Sequence, residues 1–150
     1  MDKTTIKSAG IHFLEFSIAF LSMAKCQYQH GNDVKVNSLS FFTLVALENW
    51  REENYTMSDL AEKLQITKQQ LSRLINDLEA KELVERIHDT SNRRRVYIRI
   101  SSHGLKILKD LKKSMLDSTL CALQAYNEEE LKELDSCLCR LTKLMEKFNS

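Results

Sequence analysis

The stretch "TMSDLAEKLQITKQQLSRLINDLEAKELVERIHDTSNRRRVYIRIS", residues 56–101, decides the fold. It carries two helix starts eleven residues apart. Thr56 precedes Met57-Ser58-Asp59, a cap with an acid at the third helical position. Thr67 precedes Lys68-Gln69-Gln70, the Thr-x-x-Gln form of the capping box. The spacing predicts a short helix over 57–64, bearing Leu60, Ala61 and Leu64, and a longer one over 68–81, bearing Leu71, Leu74, Ile75 and Leu78. Only Gln65, Ile66 and Thr67 separate them, with Ile66 expected to turn inward. Two helices joined by so short a turn cross steeply, as in a helix-turn-helix. "LVERIH" (83–88) and "RVYIRI" (95–100) then read as strands, with Val96, Ile98 and Ile100 alternating with Arg95, Tyr97 and Arg99. "DTSN" (89–92) is turn chemistry, so a β-hairpin follows the second helix directly.

Outward from this core the pattern is helical. The chain has no proline and three glycines in 150 residues, so long uninterrupted helices are expected. Residues 5–28 form the first, with Ala9, Phe13, Phe16, Phe20 and Met23 as one apolar stripe. "QHGNDVKVN" (29–37) reads as a loop. Residues 38–50 read as a second helix with Phe42, Val45 and Leu47 among its apolar contacts. Beyond the hairpin, Ser101 can cap a helix over about 102–125 carrying Leu105, Leu108, Leu111 and Met115. Asn127 caps the last helix, where Leu131, Leu134, Leu138, Leu141, Met145 and Phe148 recur at alternating three- and four-residue steps, a heptad seam. The fold class expected is mainly α with a small β-hairpin wing. One domain spans 1–150, with 38–101 as a winged helix-turn-helix lobe and 5–28 and 102–148 as dimerisation helices.

Composition excludes several alternatives. A hydrophobic content of 43% and a charged content of 29% suit a soluble globular chain. The apolar N-terminal stretch is interrupted by His12 and Glu15, which predicts an amphipathic helix of a cytoplasmic protein rather than a membrane span. The four cysteines, Cys26, Cys121, Cys137 and Cys139, lack zinc spacing, and reduced thiols are expected. Cys26, beside Lys25, is the candidate redox residue. His12, His30, His88 and His103 are scattered, and no glycine-rich phosphate loop or nucleophile elbow is present. No enzyme, cofactor or metal site is expected.

Net charge is only +1, so partner preference must come from clustering. From 67 to 104 eight bases stand against five acids, whereas 127–150 has four against six. In a helix-turn-helix the start of the second helix enters the major groove. Here it offers Thr67, Lys68, Gln69, Gln70, Ser72 and Arg73. Gln pairs with adenine and Arg with guanine through two hydrogen bonds, while Ser and Lys reach phosphates. Arg93, Arg94 and Arg95 lie at the tip of a hairpin beside that helix, where they reach phosphates or the minor groove.

These residues carry a resemblance. "DLAEKL", "LSRLINDLE", "LVERIHD", "NRRRVYIRIS" and "HG" are similar to the winged helix-turn-helix core of the MarR family of bacterial transcription regulators. The resemblance covers about a third of the chain. It implies a homodimer with interlocked terminal helices, bound to a palindromic operator of double-stranded DNA. It also implies repression or activation, with a repressor relieved by a small aromatic ligand or an oxidant as the leading reading. The alternative is a winged helix used for protein contacts without DNA. Asn92 stands where the family has Asp, and Glu82 where it has a helix-ending glycine. His12, Phe16 and Trp50 are the candidate ligand-lining residues.

Overall fold

The computed structural model describes residues 5–28, 34–35 and 38–149. Most of the loop expected at 29–37 lies outside the described residues. The chain is mainly helical, with a small antiparallel sheet. It divides into two compact units, Met1–Ser114 and Met115–Ser150.

In the first unit, α1 (Ile6–Gln27) is capped by a reciprocal Thr5–Ser8 box. Ala24 is its one buried residue among those described. Phe16 and Phe20 stack on each other at 5.8 Å while staying exposed. Length and composition alone would let α1 cross a bilayer. The same profile suits a helix whose apolar stripe packs against protein.

Helix α2 (Leu39–Asn49) starts at Ser38, whose hydroxyl accepts from the Phe41 amide. Its core face is Phe41, Thr43, Leu44 and Leu47. This corrects the expected contact through Phe42, which is 51% exposed and lies edge-on to Phe41. Adjacent helical residues point about 100° apart, so only one of two neighbouring phenylalanines faces fully inward, and composition does not say which.

A two-residue strand β1 (Tyr55–Thr56) follows, then α3 (Met57–Lys63) and α4 (Lys68–Ala80). Strands β2 (Val84–His88) and β3 (Val96–Ile100) form the hairpin. The sheet order is β1-β3-β2, with Tyr55 opposite Ile98 and Val84 opposite Ile100. Helix α5 (Ser102–Leu123) comes next. Leu44, Leu60, Leu71, Ile75, Leu78, Ile98, Leu108 and Leu111 are fully buried and make the lobe's core. An ion pair from Lys112 to Glu48 adds a tie between α5 and α2.

Both helices of the helix-turn-helix end in the same way. After α3, Gln65 takes φ 52°. Its amide donates to Glu62 O, and the Ile66 amide donates to Ala61 O. After α4, Glu82 takes φ 58°. Its amide donates to Glu79 O, and the Leu83 amide donates to Leu78 O. These are Schellman closures with a non-glycine residue in the left-handed position, a conformation that costs about 1–2 kcal/mol. The Glu82 departure therefore leaves the helix end intact and places strain there.

The second unit contains the end of α5, helix α6 (Glu128–Met145) and a 3-10 turn, Glu146–Asn149. A reciprocal box between Asn127 and Glu130 starts α6, and Glu128–Glu130 suit the positive end of its dipole. None of its residues is buried.

Candidate nucleic-acid interface

Two sets of side chains on the first unit stand out because they are polar, exposed and uncommitted. The first is the start of α4. Thr67 Oγ1 accepts from the Gln70 amide at 3.1 Å, and Gln70 Oε1 accepts from the Thr67 amide at 3.0 Å. This box fixes the helix start and occupies the Gln70 oxygen. Lys68, Gln69 and Arg73 are exposed and Ser72 half-buried. Their side chains make no hydrogen bond or ion pair among the described residues. Leu71, Ile75 and Leu78 point the other way and are buried. The apolar stripe thus turns the polar residues outward, as the expected reading face requires.

The second set is the hairpin tip. Its turn is built on Asp89 and Asn92. The Asp89 carboxylate accepts from the Ser91 hydroxyl at 2.7 Å, the Ser91 amide at 2.8 Å and the Tyr97 hydroxyl at 2.9 Å. The Ser91 hydroxyl is the main cause that lowers the Asp89 pKa to about 2. Asn92 Oδ1 accepts from the Arg94 amide at 3.1 Å, and Asn92 O from the Arg95 amide at 2.8 Å. The side-chain oxygen needed by the turn is present in Asn as in Asp, so the Asn92 departure preserves the bend. Arg93, Arg94 and Arg95 are exposed, and their guanidinium groups make no hydrogen bond or ion pair within 4 Å among the described residues. Arg95 lies near enough to Asp59 to help lower its pKa, after the two hydrogen bonds from Thr56.

Other bases of the cluster are committed. Arg86 donates to Glu79 at 2.6 Å and to Asn76 Oδ1 at 2.7 Å, which braces β2 against α4. Lys81 pairs with Asp77 one turn earlier at 2.9 Å. Arg99 donates to Asn54 Oδ1 at 2.6 Å. Charge counting along the sequence cannot separate these braces from the free arginines.

The three candidate ligand residues are not gathered at one cavity. Trp50 lines a polar cleft of about 240 Å³ with Leu47, Arg51, Glu53 and Arg99. His12 and Phe16 are exposed on α1 and do not line it. Trp50 also packs on Tyr55, with ring centroids 5.0 Å apart, and the Lys63 ammonium sits 4.7 Å from the Trp50 ring. Sequence reasoning missed Tyr55 and Lys63, whose meeting depends on β1. Cys26 and the other three cysteines are free and exposed. Among the described residues no cluster of metal-ligating side chains occurs.

None of the curated proteins compared matches this chain. Residues 36–96 match the model of the MarR family. Among solved structures the chain is similar to MepR, described as a transcription regulator of the Staphylococcus aureus multidrug efflux pump MepA. The TM-score is 0.71 at 23% identity, over 87% of this chain and 95% of that one. A point mutant of S. aureus MepR bound to an oligodeoxyribonucleotide matches with a TM-score of 0.66 at 22% identity, over 91% and 97% of the two chains. AbsC, a MarR family transcriptional regulator from Streptomyces coelicolor, matches with a TM-score of 0.58 at 22% identity, over 98% and 99%. The match to the MarR family model thus falls on the stretch that holds the winged helix, and the fold is the one these solved regulators share.

Proposed function

We propose that this chain is a sequence-specific, double-stranded DNA-binding transcription regulator that works as a homodimer in the cytoplasm. One observation carries the reading. Free cationic and amide side chains gather at the start of α4 and at the hairpin tip, while Arg86, Arg99 and Lys81 beside them are tied down within the protein. Lys68, Gln69, Ser72 and Arg73 are assigned to the major groove, with Thr67 and Gln70 holding the helix start. Arg93, Arg94 and Arg95 are assigned to phosphates and the minor groove. That a similar fold has been seen with an oligodeoxyribonucleotide supports the assignment.

The homodimer follows from the exposed apolar residues of α1 and α6, which need cover. Two lobes related by a two-fold axis read half-sites about one helical turn apart, roughly 10 bp, in a palindromic operator. The family resemblance implies repression relieved by a small aromatic ligand or an oxidant; the candidates are the cleft at Trp50 or the α1 face with His12 and Phe16 for the ligand, and Cys26 for the oxidant. No catalytic role or cofactor belongs to this reading.

The test starts with selection of bound fragments from random DNA. Salt titrations of wild type, Arg93→Ala, Arg94→Ala and Gln69→Ala follow, on selected and unselected DNA. Each lost phosphate contact lowers the log–log salt slope by about one unit on both DNAs. Gln69→Ala costs about 1–3 kcal/mol at particular base pairs only. Absence of binding to any selected DNA would assign the winged helix to protein contacts instead.

A further inference from the structure

The end of the reading helix is bonded to the start of α5 through Ser101, by its hydroxyl and its amide. Ser101 Oγ donates to Glu82 O at 2.6 Å and accepts from the Gly104 amide at 2.9 Å. Ser101 N donates to Leu83 O at 3.0 Å. The Glu82 carbonyl belongs to the left-handed residue that terminates α4, so the clamp acts on the strained point of the corner. Gly104 lets the two segments touch. A Cβ there would lie 2.1 Å from Leu83 O and 2.8 Å from Ile100 Cγ1, closer than any side chain tolerates. The first turn of α5 is therefore pressed against the α4–β2 corner, and Ser101 is both its cap and its bond to that corner.

We propose that Ser101 is a positioning residue for DNA reading: it sets the angle at which α4 presents its first turn to the bases. The proposal rests on the DNA-binding reading above. The lever is long. Thirteen residues of helix span about 20 Å, so a tilt of about 5° at the Glu82 end moves the Gln69 end by roughly 1.7 Å. Bidentate base contacts do not survive such a shift, because hydrogen bonds weaken steeply with distance and angle. Contacts from long, screened lysine and arginine side chains to phosphates adjust to it. Loss of the Ser101 hydroxyl therefore lowers the preference for the selected sequence and leaves general DNA affinity standing.

The experiment measures binding to selected and to random DNA, at one fixed salt concentration, for wild type, Ser101→Ala and Ser101→Thr. Circular dichroism at the assay temperature checks the folded fraction. Ser101→Ala is expected to lose about tenfold or more in the ratio of specific to random affinity, with random-DNA affinity within about twofold of wild type. Threonine keeps a hydroxyl and a capping oxygen, and restores the ratio. A wild-type ratio in Ser101→Ala overturns the proposal. So does an equal loss on both DNAs, or a loss that threonine does not repair. If wild type itself prefers no sequence, the DNA-binding reading fails, and the positioning role fails with it.

Discussion

Helices α4 and α6 are written in the same local code and meet different fates. Each begins with a reciprocal box, Thr67 with Gln70 and Asn127 with Glu130. Each carries an apolar stripe and a polar back. In α4 the stripe is covered by the chain itself, with Leu71, Ile75 and Leu78 at 0% exposure. In α6 nothing is buried, and Leu138 and Leu144 remain 48% and 59% exposed. Caps and periodicity decide that a helix forms. What covers its stripe decides whether that helix stabilises one chain or joins two.

The largest effect expected is within α4. Ile75→Ala empties a fully buried site and should cost about 2–5 kcal/mol in thermal or urea unfolding. A loss near zero would mean that α4 is no better anchored than α6, and the contrast would collapse. On α6, Leu138→Glu combined with Leu141→Glu should leave helix content unchanged. It should weaken self-association at least about 100-fold, or roughly 2.7 kcal/mol, in sedimentation equilibrium. A wild-type chain that sediments as a monomer at micromolar concentration removes the basis for that prediction. Glu82→Gly relieves the left-handed corner of α4 and should stabilise the lobe by about 1 kcal/mol. An unchanged melting temperature would show that the corner is not strained.

The smallest effect contrasts the apolar seat of α4 with the polar turn of the wing. Hydrogen bonds lower the Asp89 pKa from 3.8 to about 2. A depressed folded-state pKa gives stability that is present above about pH 4 and is lost as pH falls through about 2. Amide-exchange protection of the hairpin should fall in that window, and Asp89→Asn should lack this dependence. Equal acid sensitivity in both proteins would show that the Asp89 bonds do not hold the wing.

The elements of the lobe were legible where their signals are local. Thr56 and Thr67 announce their helices because a capping box spans four residues. The hairpin announces itself by alternation. Strand β1 gave no signal, because two residues make no period and its partner Ile98 lies far along the chain. The free guanidinium groups of Arg93–Arg95 and the committed one of Arg86 look alike in sequence. They differ only in whether Glu79 and Asn76 are within reach. Glu82 could be identified as an awkward helix end. Its clamp could not, since Ser101 is nineteen residues away and reads simply as a cap.

The packing of Trp50 has an optical consequence. It is the chain's single tryptophan, so its emission has one origin. The Lys63 ammonium over its ring comes from the last turn of α3, and the Tyr55 ring beside it comes from β1. The indole therefore senses how the helix-turn-helix sits on α2, from a point distant in sequence from Gln69 and the wing arginines. Emission colour and tyrosine-to-tryptophan energy transfer become a built-in gauge of that seating. Lys63→Met, which removes the charge and keeps the bulk, calibrates the gauge without a dye.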